Sequence, residues 1–126
     1  MPLTTFEDYT THPDPPPASG LVQGILSSAT YAHPVKSIII EIELGVTGTQ
    51  VRACIHYLRC IGHPIGSSCK GYWWAQTAEE LATTITHGEQ RARSNLAWVR
   101  GLLRASQVMT EEYEQGELGD GALSNG

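Results

Sequence analysis

The sequence predicts a mostly α protein with one small β-hairpin and a long helix near the C-terminus. Three observations predict it. Thr47 with Gln50, and Thr77 with Glu80, each have the spacing of a capping box, and each precedes apolar residues at three- and four-residue steps. Between these two helix starts lie two short strand-like runs around a Gly/Ser/Lys turn. Apolar residues make up 40% of the chain and charged residues 17%, which suits a globular protein with a modest core.

The elements follow in order. Residues 1–18 hold Pro13, Pro15, Pro16 and Pro17, which lack the amide proton a helix needs, so this stretch is expected to be a disordered or extended arm. Ser19 precedes Leu21, Val22, Ile25, Leu26 and Ala29, a helical spacing for a first short helix, although Gly24 weakens it. Tyr31, Ala32 and His33 suit a short extended piece, and Pro34 suits a first helical turn. Residues 35–44 are ambiguous. Ile38, Ile39, Ile40 and Ile42 are β-branched and alternate with Glu41 and Glu43 like a strand, while the neighbouring elements favour a helix.

From Thr47 the pattern is clearer. Val51, Cys54, Ile55 and Leu58 fall on one helical face, and Gly62 and Pro64 end that helix. Ile65, Gly66, Ser67 and Ser68, then Cys69 and Lys70, then Gly71, Tyr72, Trp73 and Trp74 form the expected hairpin. The last helix is expected over 77–106, with an apolar stripe of Leu81, Ile85, Gly88, Ala92, Leu96, Val99 and Leu103. Residues 107–126, rich in Glu and Gly, are expected to form a disordered acidic tail.

The formal net charge is −5, but most of the acid sits towards the ends. Residues 47–77 contain no Asp or Glu and hold Arg52, Arg59 and Lys70 with His56 and His63. That asymmetry favours an anionic partner for the middle of the chain more than the overall charge suggests. Its surplus of positive charge is small. No apolar run is long enough to span a bilayer, and the N-terminal residues lack the pattern of a secretory signal, so a cytoplasmic protein is expected. Cys54, Cys60 and Cys69 form no CxxC pair, and the expected state is free thiols. With His56 and His63 they supply ligand types for zinc at an unsuitable spacing, so no metal or other cofactor is expected.

The residues Leu44, Gly45, Val46 and Thr47, then Gln50, Val51, Arg52, Ile55, Leu58, Arg59, Gly62, Pro64, Ile65, Gly71 and Tyr72, resemble the winged helix-turn-helix at the front of the bacterial biotin repressor. They also resemble small phage and prophage DNA-binding proteins, in which a Thr-x-Glu-Glu-Leu helix follows; here it is Thr77, Ala78, Glu79, Glu80, Leu81. The resemblance covers roughly residues 34–104. It implies a winged helix-turn-helix over 19–76 followed by a long C-terminal helix, with a recognition helix over 47–61 and a wing over 65–74. It implies a non-enzymatic, double-stranded DNA-binding protein, a transcriptional regulator or a phage or plasmid replication accessory. Glu41 departs from the pattern, which has a small residue there, and its carboxylate needs a polar partner or a path to solvent.

In that reading Thr47, Thr49, Gln50, Arg52, Ala53, His56 and Arg59 face the major groove, while Ser67, Ser68 and Lys70 contact phosphates. Gln50 is equally explained by its capping box, and Arg52 by pairing with Glu41 or Glu43. Tyr72, Trp73 and Trp74 are more simply core residues than a base-stacking platform. The stripe from Leu81 to Leu103 is expected to serve a homodimer, with Gly88 and Ala92 admitting close approach of a second backbone. The alternative is an adaptor that binds protein rather than DNA, through its apolar helix or acidic tail.

Overall fold

The structure, a computed structural model, describes residues 14–123, with side chains to residue 116. The rest of the expected arm, residues 1–13, and residues 124–126 of the expected tail lie outside it. The described residues form α1 (Ser19–Leu26), α2 (Ser37–Leu44), α3 (Gly48–Cys60), β1 (Ile65–Ser68), β2 (Gly71–Trp74) and α4 (Glu79–Leu123). The protein is mostly helical, with a two-stranded antiparallel hairpin and a long C-terminal helix, as the sequence predicts. The chain divides into two compact units, Met1–Ile85 and Thr86–Gly126.

In the first unit the core is a cluster of Val22 and Leu26 from α1, Ile40 from α2, Val51, Cys54, Ile55 and Leu58 from α3, and Ile65 from β1. The helical spacings read from the sequence supply Val22, Leu26, Val51, Cys54, Ile55 and Leu58, while Leu21 of the same pattern is exposed, so hydrophobic burial selects the inner face. The arm's last residues belong to this unit. Ser19 Oγ donates to the Pro16 carbonyl (2.6 Å), and Cys54 Sγ donates to the Pro17 carbonyl at 3.4 Å. Pro16 and Pro17 of the expected arm are thus bonded to the first unit.

The ambiguous stretch 35–44 divides between both readings. Val35 exchanges two backbone hydrogen bonds with Tyr72, each 2.8 Å, and extends the hairpin by a single bridge. Pro34 therefore precedes a bridge rather than opening a helix, and α2 begins only at Ser37. The approach of Val35 depends on Gly71, whose φ is +133° and whose Cβ, if present, would stand 2.6 Å from the Val35 carbonyl. α2 ends at Gly45 (φ +67°), the left-handed conformation that glycine adopts at low cost. The Glu41 carbonyl accepts from both Gly45 N and Val46 N, giving a tight turn into α3.

The hairpin pairs Ile65 with Trp74, Gly66 with Trp73, Ser67 with Tyr72 and Ser68 with Gly71. Alternation sends Tyr72 and Trp74 to the main core and Trp73 to the other face. Trp73 is nonetheless buried. Its indole lies over Gly66, where any Cβ would run into the ring, and its Nε1 donates to the Glu80 carbonyl at 3.1 Å. The Tyr31 ring meets it edge-on, with centroids 5.0 Å apart.

α4 continues beyond the expected end near residue 106 to Leu123. The disordered tail expected from residue 107 is thus helical as far as Leu123. No proline falls in this stretch, and once a helix is nucleated each further residue fixed adds one hydrogen bond. Among the described residues no helix is long and apolar enough to cross a membrane.

Candidate functional site

The outer face of α3 is the candidate site. Its start is fixed by the capping box: Gln50 N donates to Thr47 Oγ1 (3.1 Å), and Thr47 N donates to Gln50 Oε1 (2.8 Å). The capping reading of Gln50 holds, and the bond restrains its carboxamide at the helix start. Val51, Cys54, Ile55 and Leu58 are buried, which turns Thr49, Arg52, Ala53 and His56 outward, all exposed. Arg52 Nη2 donates to Thr49 Oγ1 at 3.2 Å. The result is an exposed helical face carrying one guanidinium, an imidazole, a hydroxyl and a small Ala53.

Glu41 reaches this face from α2. Its Oε2 accepts from Ser37 Oγ at 2.8 Å, the polar partner that the departure from the motif requires. Glu41 and Arg52 flank Gly48: a Cβ there would lie 3.2 Å from Glu41 Oε2 and 3.3 Å from Arg52 Nη1. The small residue at position 48 leaves room for both.

Arg59 is placed differently from the sequence expectation. Its Nε donates to the Ile65 carbonyl (2.9 Å) and its Nη2 to Ser67 Oγ (3.0 Å), so the guanidinium ties α3 to β1. Ser67 is likewise occupied. Its N–H donates to Thr84 Oγ1 (3.0 Å), and Thr84 Oγ1 donates back to the Ser67 carbonyl (3.3 Å). Arg59 and Ser67 are therefore positioning residues that hold the hairpin between α3 and the start of α4.

Ser68 and Lys70 remain exposed at the hairpin tip, where Lys70 N donates to Ser68 Oγ (3.1 Å). Cys69, which the sequence reading left out of the site, sits between them and is exposed. Folding also brings acid here. A groove of about 310 Å³ is lined by Lys70 and Cys69 together with Glu79 and Glu80. The acid-free stretch of sequence is thus not acid-free in space, because Glu41 borders one end of the face and Glu79 and Glu80 border the tip.

The remaining candidates separate. Cys54 is buried in the core, while Cys60 Sγ lies 3.6 Å from His56 Nε2 on the exposed side. His63 packs against Trp74, with ring centroids 5.2 Å apart. Among the described residues no three His, Cys, Asp or Glu side chains are grouped as a metal ion would require. Trp73, enclosed by Tyr31, Gly66 and Glu80, offers no open ring face for stacking.

Of the expected dimer stripe, Leu81 and Gly88 are half-buried, Ala92 is exposed, and Ile85, Leu96, Val99 and Leu103 are exposed large apolar residues. The sequence reading missed Trp98, Leu102, Met109 and Tyr113, which are also exposed. Their spacing was a visible signal for a wider apolar band. Compared with known proteins, the chain matches no family, no curated protein and no solved structure.

Proposed function

We propose that this chain is a sequence-preferring double-stranded DNA-binding protein, a winged helix-turn-helix acting in transcriptional control or in phage or plasmid replication. The observation that carries this reading is α3 itself. One face is wholly taken up by the core, while the opposite face leaves Thr49, Arg52, Ala53 and His56 exposed after a capped start. A helix of this kind presents early outward side chains to base edges in the major groove, with the arginine suited to guanine. Ser68 and Lys70 at the hairpin tip suit phosphate contacts, which position without reading sequence. Arg59, bonded to β1, sets the angle between helix and hairpin instead of reading a base.

Arg52→Ala tests this. The exposed side chain makes its one described hydrogen bond to Thr49, so the fold should survive, as circular dichroism would verify. Specific binding should weaken by about 1–3 kcal/mol, roughly fivefold to 150-fold. Undiminished affinity for the preferred site would refute the assigned reading face.

A second reading, an adaptor that binds protein, is favoured by one observation. Ile38, Ile39 and Ile42 of α2 are all exposed, Ile42 at 73%. Clustered exposed apolar residues mark interaction surfaces more often than chance placement does. This reading predicts no affinity for duplex DNA even at low salt.

A further inference from the structure

We infer that the unit Thr86–Gly126 pairs with a second copy of itself as an antiparallel two-helix coiled coil, centred between Arg100 and Gly101. This specifies the register and orientation that the expected homodimer stripe leaves open, and it stands independently of DNA binding.

The starting point is exposure. Leu96, Trp98, Val99, Leu102, Leu103 and Met109 are exposed by between 37% for Val99 and 69% for Met109. Residues 92, 95, 99, 102, 106, 109 and 113 recur at alternating steps of three and four, the seam of a heptad repeat. Leu96 and Leu103 border that seam on one side, with Trp98 and Ala105 on the other. Arg93, Arg100, Arg104, Glu111 and Glu114 fall on the outer positions, where charges remain in water. Among the exposed large apolar residues of 92–113, Val108 alone falls off the band.

Size and charge then choose the orientation. In an antiparallel pair each seam residue of one class faces the other class on the partner. With the centre at 100–101, Val99 faces Leu102, Ala92 faces Met109, Asn95 faces Ser106 and Gly88 faces Tyr113. Each large side chain meets a small one or fills a matching layer, and polar Asn95 meets polar Ser106. Gly88 has open space where a Cβ would stand, which is room for a tyrosine ring. On the flanks Leu96 meets Leu103, Trp98 meets Ala105, and Arg91 meets Glu112.

A parallel pair loses this complementarity. It sets Tyr113 on Tyr113, Gly88 on Gly88 and Asn95 on Asn95. It also gives up the pairing of Arg91 with Glu112 across the flank of the seam.

Cysteine cross-linking on the full chain tests orientation directly. Exposed Cys60 and Cys69 are first replaced by Ser, and buried Cys54 is retained. Ala92→Cys and Met109→Cys are then made singly and together, and each protein is oxidised without DNA. Both positions are exposed, so folding should be preserved, as circular dichroism would verify. The double variant should form a covalent dimer while neither single variant does. Cross-linking of each single variant to itself would establish a parallel pair and overturn the inference. A monomeric mass by light scattering at about 100 µM, with no cross-link in any variant, would overturn it as well. Neither outcome bears on whether α3 reads DNA, just as loss of binding in Arg52→Ala leaves the pairing untouched.

Discussion

The two units of this chain carry similar apolar periodicity with opposite outcomes. In the first, Val51, Cys54, Ile55 and Leu58 of α3 are at most 2% exposed, because α1, α2 and β1 supply surfaces to bury them. In the second, Leu96, Val99, Leu102 and Leu103 follow a comparable spacing on a single helix and remain in solvent. An amphipathic pattern specifies that a face needs a partner, and the rest of the chain decides whether that partner is internal.

Leu58→Ala and Leu103→Ala, compared at low protein concentration, should differ most. With Trp98 replaced by Phe, the emission of Trp73 and Trp74 reports on the first unit. Leu58→Ala should lower its stability by about 2–5 kcal/mol, through lost burial and the cavity left behind, read as a lower urea midpoint. Leu103→Ala should leave that midpoint within about 0.5 kcal/mol. Equal destabilisation by both would contradict the contrast between the two apolar faces.

A smaller effect sharpens the account of the first unit. Gly66→Ala places a methyl group against the indole of Trp73, a ring already held by Glu80 and Tyr31. Overpacking of this kind should cost about 1–3 kcal/mol and shift the tryptophan emission to longer wavelength. An unchanged midpoint and spectrum would show that the ring moves aside freely.

What the sequence revealed follows the range of the interactions. The α3 start was legible because Thr47 and Gln50 complete their bonds within a single turn. The inner face of α3 was legible from its spacing, and the opposite facing of Trp73 from strand alternation. Bonds between distant residues were not legible. The Val35 bridge to Tyr72 turned an isoleucine-rich run into one bridging residue followed by a helix. Arg59 looked like an outward base reader because helical position alone does not show that β1 returns within its reach. Likewise, the acid-free middle of the sequence gains Glu41, Glu79 and Glu80 as neighbours only through folding. The helical part of the tail was not legible because its Glu and Gly content does not show that it continues a helix begun at Glu79.

Salt dependence of duplex-DNA affinity tests the proposal that the exposed side of α3 and the hairpin tip engage DNA. A titration of duplex DNA with the full chain at about 50 mM and about 200 mM monovalent salt should show affinity falling at least tenfold, because the protein's cationic side chains release counterions condensed on the phosphates. Absence of binding at the lower salt, or an affinity indifferent to salt, would contradict the account.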